Sequence, residues 1–281
     1  MKTKKLIAIR GLLYCILLIF SLFFYSCKKD KEQSPSPSYT STGSPAEPQS
    51  GDVLYNAVMD IDGHLYDAVL IGNKTWMIQN LKTTRYANGE EIPVGVAEED
   101  RSYTEPFRYV PNGDGNYVFQ YGYLYNWPAV MHGESSSSGN PSNVQGICPH
   151  GWHVPSKAEW EQLTTLVGLQ SQYQCNNDRN NIAKSLASTS GWKEAGKDCA
   201  VGNNQSSNNT THFSAYPAGY GDQSINNNFS KDAYFWSCTK ASLIGGETHA
   251  YSFELDYYSA IAYTSYAPYK ASALAVRCVK D

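Results

Sequence analysis

The sequence predicts an α+β domain of short antiparallel strands, few helices and long polar loops over most of the 281-residue chain. Three observations point there. β-Prone runs are short and bounded by Gly, Asn and Asp turn signals. Helical periodicity is confined to two places, one of which carries a complete N-terminal capping signature. Long Asn- and Ser-rich stretches show no periodicity, so they need anchoring by something other than helix or sheet.

Met1-Lys2-Thr3-Lys4-Lys5 is basic and residues 12–25 are apolar without a charge, which is the layout of a signal peptide spanning residues 1–26. A membrane-spanning helix needs about 20 consecutive apolar residues, and extending this run backwards meets Arg10, which weighs against a retained transmembrane anchor. Ser26-Cys27 closes the run, and Lys28-Lys29-Asp30-Lys31-Glu32 follows at once. This resembles the lipobox of bacterial lipoproteins, although Phe24 and Tyr25 stand where that pattern has an aliphatic and a small residue. The resemblance implies that Cys27 receives a diacylglyceryl thioether, becomes the mature N-terminus and holds the protein at a membrane. The competing reading leaves Cys27 an ordinary thiol after a plain cleavage site. Lys28 stands where Asp would argue for inner-membrane retention in some bacteria. The expected destination is therefore the outer membrane, facing the periplasm or the outside.

Residues 27–52 read as the lipidated cysteine and a tether. Positions 33–51 are rich in Ser, Pro and Thr with almost nothing apolar. Such a segment cannot offset its conformational entropy by burial, and it is expected to be flexible and partly extended.

Charge narrows the partners. Four of the 22 Lys and Arg residues (Lys2, Lys4, Lys5, Arg10) leave with the signal, so 18 face 26 Asp and Glu and the mature net charge is −8. Nucleic acid is excluded as a natural partner. The 22 tyrosines and the Asn and Ser tracts fit a secreted surface that faces carbohydrate or cell envelope.

Residues 53–281 carry no second linker and suffice for one domain. A hairpin is expected from residues 64–71 and 74–78 around Gly72-Asn73, a pair suited to a primed two-residue turn. Strands are also read at 251–255, at 261–263 and at 273–279. Ser156-Lys-Ala-Glu159 is a capping box. Behind it Trp160, Leu163, Leu166 and Val167 recur at helical spacing up to Gly168, and a second, weaker helix runs through residues 182–186. Residues 203–211 and 222–228 read as polar loop.

Two constellations invite a metal. Cys148-Pro-His150-Gly-Trp-His153 has ligand-type residues two and three apart, but no second cluster of ligand spacing accompanies it. Asp60-Ile-Asp62-Gly63 begins like a calcium loop yet lacks the later ligands and closing Glu, so an Asp-Gly turn explains it better. No cofactor and no metal are expected. The six tryptophans are read mostly as core.

The ordered series Asp60-Ile-Asp62-Gly63, Ile71-Gly72-Asn-Lys-Thr-Trp76-Met77, Asn80-Leu81, Tyr121-Gly122-Tyr-Leu-Tyr-Asn-Trp127, Ile147-Cys-Pro-His-Gly-Trp-His-Val-Pro155, Glu159-Trp160, Ser190-Gly-Trp192, Phe213-Ser-Ala215, Pro217-Ala-Gly219, Phe235-Trp-Ser237 and Val276-Arg-Cys278 resembles the Fibrobacter succinogenes major paralogous domain. The resemblance covers essentially all of residues 53–281. It implies a C-type lectin-like fold with paired small antiparallel sheets, two helices, long loops and neighbouring termini, in a lipoprotein or surface protein, with no established reaction. Lectin-like domains tie the first helix region to the last strand, which implies a Cys148–Cys278 disulfide. Cys175 and Cys199 would then clasp the loop around the second helix. Cys238 stands where the family more often has Ser, and it is left as a free, buried thiol; a reactive thiol is the competing reading. The calcium-binding triplets of lectin-like domains are absent here.

Three functions compete at this point. One is a non-catalytic binding module for a glycan or a cell-envelope protein. Another is a structural or accessory component of a surface appendage. The last is an enzyme related to the formylglycine-generating family, echoed by Val154-Pro-Ser-Lys-Ala-Glu-Trp-Glu161; the closely spaced cysteine pair that its oxidising members use is missing.

Overall fold

Gly72 lies at φ +67°, a conformation that strains an L side chain, and a Cβ there would also press on Leu166 Cδ1 at 2.4 Å, so the turn at Gly72-Asn73 favours glycine. Around this turn β1 (Val53–Met59), β2 (Leu65–Ile71) and β3 (Lys74–Met77) form an antiparallel meander in which Ile71 pairs with Lys74. The structure is a computed structural model that describes residues 49–96, 99–221, 228–242 and 247–281. The signal, Cys27, the tether up to residue 48 and residues 222–227 of the expected polar loop lie outside the described residues.

The chain continues through β4 (Arg108–Tyr109), α1 (Val118–Tyr121), β5 (Leu124–Asn126), α2 (Trp127–Met131), α3 (Lys157–Gly168) and α4 (Ala183–Leu186). It finishes with β6 (Asp232–Lys240), β7 (Ala250–Asp256), β8 (Ala262–Tyr263), β9 (Ala273–Leu274) and β10 (Val279–Lys280). Three small sheets result, in the orders β1-β2-β3-β10, β4-β5-β9 and β6-β7-β8, with every named pairing antiparallel. The domain is thus mixed helix and sheet with few helices.

α3 starts where its cap predicts. The Ser156 hydroxyl accepts from the Glu159 N–H while Glu159 accepts from the Ser156 N–H, and Trp160, Leu163 and Val167 are buried. α4 covers the weaker helix. Two further single-turn helices, α1 and α2, were not expected from periodicity, because four or five residues are too few to show a period.

The single strand read at 273–279 is corrected to two. Ala273 and Leu274 pair with β5, Ala275 bridges Phe235 in β6, and Val279 pairs with Trp76 in β3, so this last stretch stitches all three sheets together. Between the two short strands Arg277 is fully buried. Its guanidinium donates to the carbonyls of Met77, Phe213 and Ser214 and to Asn80 Oδ1, and it lies over the rings of Phe213 and Phe235.

Two apolar clusters fill the interior. In one, Trp160 stacks on Phe253 at 4.6 Å between centroids and touches Trp76, Phe213 and Phe235. The other gathers Tyr66, Met77, Trp152, Trp236 and both half-cystines of Cys148–Cys278.

Candidate functional site

Each sequence-read site residue has a definite place. Cys148 pairs with Cys278 and Cys175 with Cys199, while Cys238 is unpaired and buried. Burial pushes the Cys238 thiol up to about 12, and its Sγ sits 3.5 Å from the Ser137 carbonyl. Cys27 lies outside the described residues. Five of the six tryptophans are buried and Trp127 is half-buried beneath Lys270.

The residues of both metal readings also make structural bonds, and the fold brings ligand atoms of Asp60, Asp62 and His64, and of His153, Glu159 and Asp281, within 4.8 Å of one another. Cys148 is a half-cystine, His150 bonds Gln145 on the surface, and His153 is buried with Nε2 2.7 Å from Glu159 Oε1. Glu159 also receives Lys74 Nζ at 3.0 Å and the Ser142 N–H, and Lys74 pairs on its other side with Asp281. Burial alone would raise the Glu159 carboxyl, but His153, the Ser156 N–H and Lys74 hold it below its ordinary range. One carboxylate therefore joins the α3 cap, the β3 start and the chain end. Asp60 closes the β1–β2 turn, accepting from the N–H groups of Asp62 and His64 and from Tyr66 OH; Asp62 in turn holds Thr84 and Arg85.

Beside α3 the surface opens. Among the described residues β8 is an edge strand, hydrogen-bonded within its sheet to β7 alone. One cleft of about 170 Å³ runs between the last turn of α3 (Thr164, Thr165, Gly168) with the following Leu169, and Arg179, Asn180 and Ile261. A second, of about 230 Å³, is lined by Asn176, Asn181, Lys197, Asp198, Ser259, Ile261 and Tyr263. Ile261, just before β8, lines both, so the two clefts adjoin at that residue.

The Cys175–Cys199 bridge holds the rim of the second cleft, and across it Asn176 Nδ2 donates to Asp198 Oδ2 at 2.7 Å. Ser259 Oγ is 3.0 Å from Tyr263 OH, and Lys197 Nζ lies 5.5 Å from the centre of the Tyr258 ring. Ile261 and Tyr263 stay about two-fifths exposed, which leaves an apolar edge and an aromatic face beside amide, carboxylate and hydroxyl groups. None of these lining residues stands out by sequence motif; the only signal was the general wealth of Tyr and Asn.

A second feature that sequence reading missed lies on one face of β6 and β7. Asp232 pairs in register with Asp256 and Tyr234 with Glu254, and Tyr234 OH sits 3.3 Å from Asp232 Oδ2 and 3.0 Å from Glu254 Oε1. Burial first, then the neighbouring Asp256, raises Asp232 to about 6. Burial and the charges of Asp232 and Asp256 raise Glu254 to about 7 against the lowering bond from Tyr234.

A family model described as the Fibrobacter succinogenes major domain matches residues 69–280. The chain belongs to this family. The matched span of the Fibrobacter succinogenes major domain begins inside β2 and ends at the last residue of β10, so it contains both disulfides, Glu159, Arg277 and the whole β8 cleft, and leaves β1 outside. No curated protein and no solved structure matched the chain. Among the described residues no helix is long and apolar enough to cross a membrane.

Proposed function

We propose that this domain is a non-catalytic ligand-binding module of C-type lectin-like fold, carried at the outer membrane by lipid on Cys27 and displayed on the tether of residues 27–52. The fold reading draws support from the small antiparallel sheets, from the Cys148–Cys278 bridge between the approach to α3 and the last strands, and from the presence of β1 and β10 in one sheet. The function reading rests on one observation: two open clefts that share Ile261, the second of them mixed polar and aromatic with a disulfide-held rim. Its ligand is a glycan or a cell-envelope protein.

Catalysis fits less well. In the echo of the formylglycine-generating family, Glu159 is consumed by the helix cap, Lys74 and His153, and Cys238 is buried with its thiol raised. Saturable binding on arrays of glycans and envelope proteins is the expected result, and no ligand above background on either array contradicts the proposal. Protease shaving of intact cells tells an outward-facing module from a periplasmic one.

A structural role in a surface appendage is the second reading. It is favoured by the exposed pair Met59 and Leu65, which are direct cross-strand partners beside the turn that joins β1 to β2. A defined set of envelope proteins retained with the native lipoprotein would favour it over the first.

A further inference from the structure

We propose that the two clefts along β8 seat consecutive rings of a neutral oligosaccharide, with Ile261 at the junction, Tyr263 as the stacking face and Asn176, Asn181 and Asp198 as hydroxyl partners. This rests on the reading of the domain as a binding module and names its ligand class.

Size argues first. At about 170 and 230 Å³ each cleft falls below the roughly 300–1,000 Å³ of a site that encloses a drug-sized ligand. Two small depressions in tandem match a chain of small repeating units better than one compact molecule. Chemistry argues second. A sugar ring offers an apolar C–H face and a girdle of hydroxyls that both donate and accept. The clefts offer the matching pair: the part-exposed Tyr263 ring and Ile261 edge, and amides and hydroxyls that donate and accept beside a carboxylate that accepts.

Charge argues third. Arg179 and Lys197 are offset by Asp198 in the lining and by the adjacent Asp178, which accepts from the Asn180 N–H, so the described lining has no field of one sign to draw an anionic or cationic chain. A peptide fits worse, because the β8 edge is only two residues long, too short to template an added strand. Ordering is already in place, since the Cys175–Cys199 bridge and the Asn176–Asp198 bond fix the rim before any ligand arrives.

The test is calorimetric titration of the full-length chain in detergent with cello-, xylo-, manno- and chito-hexaoses. Four variants accompany it: Tyr263→Ala, Tyr263→Phe, Asp198→Ala and Tyr103→Ala. The last alters an exposed ring that lines neither cleft and packs against Tyr269. At least one hexaose should bind saturably. Tyr263→Ala and Asp198→Ala should each weaken it about tenfold, and Tyr263→Phe and Tyr103→Ala should stay within about twofold. Binding that survives Tyr263→Ala and Asp198→Ala overturns the site while the module reading stands. An envelope-protein ligand with no hexaose bound overturns the ligand class alone. Failure to bind any hexaose or any envelope protein overturns the site and the module together.

Discussion

Lys74 Nζ lies 3.0 Å from Glu159 Oε1 with both side chains all but sealed from solvent. Buried pairs of this kind are punished less for existing than for losing one partner, because the survivor is left charged and dry. Glu159→Ala strips the α3 cap, His153 and Lys74 of a shared acceptor, so urea unfolding should show a loss of about 3–5 kcal/mol.

The same pair sets two pH limits. Glu159 is held below its ordinary 4.5, so its contribution is complete above that pH and is lost as pH falls through the folded-state value. Burial would lower Lys74, but Asp281 and Glu159 raise it above 10.5; its contribution is complete below that pH and fades as pH climbs past it. Glu159→Ala should therefore flatten both edges of the stability profile.

Cys148 and Cys278 are 130 residues apart and Cys175 and Cys199 are 24 apart. Loop-closure entropy then assigns about 5 and about 3.5 kcal/mol to the two bridges. Paired Ser substitutions should rank in that order by thermal or urea unfolding. Removal of the shorter bridge should also loosen the cleft rim while β2 and β3 keep their amide protection.

The carboxyls of Asp232 and Glu254 hold protons more tightly when folded, at about 6 and about 7. Groups raised in this way stabilise fully below their unfolded pKa, near 4, and that contribution is lost as pH rises through the folded values. Stability should accordingly fall between pH 4 and pH 7. Asp232→Asn should remove much of this slope and leave the protein more stable at pH 8, on the order of 1–3 kcal/mol. Parallel slopes for variant and parent would refute the account of this face.

Cys238 should resist alkylation at pH 8 in the native protein and react at once in denaturant, since its thiol is buried and raised to about 12. Rapid native labelling, or turnover lost in Cys238→Ser, would speak for the reactive thiol instead.

Local signals were the legible ones. The Gly72-Asn73 hairpin and the Ser156 capping box depend on a few adjacent residues, and both stand where the sequence puts them. β6 was not read as a strand because eight of its nine residues are buried, which erases the apolar–polar alternation that marks a half-exposed strand. The stretch 273–279 reads as one apolar strand, yet its residues serve three sheets in turn, and no local pattern encodes that. Arg277 gave no hint that it would be buried, since its acceptors come from Met77, Asn80, Phe213 and Ser214. The β8 clefts join α3, the two sides of the Cys175–Cys199 bridge and β8, parts spread over about a hundred residues. In β7 a signal did exist: Glu254 and Asp256 alternate with buried Phe253 and Leu255, which marks a charged face.

Hydrogen exchange on the full-length chain, with and without a saturating hexaose, tests the central claim most directly. The account predicts new protection confined to backbone amides around Asn176, Asp198 and Ile261–Tyr263. Protection around Tyr103 and Tyr269 instead, or none anywhere under saturation, would contradict it.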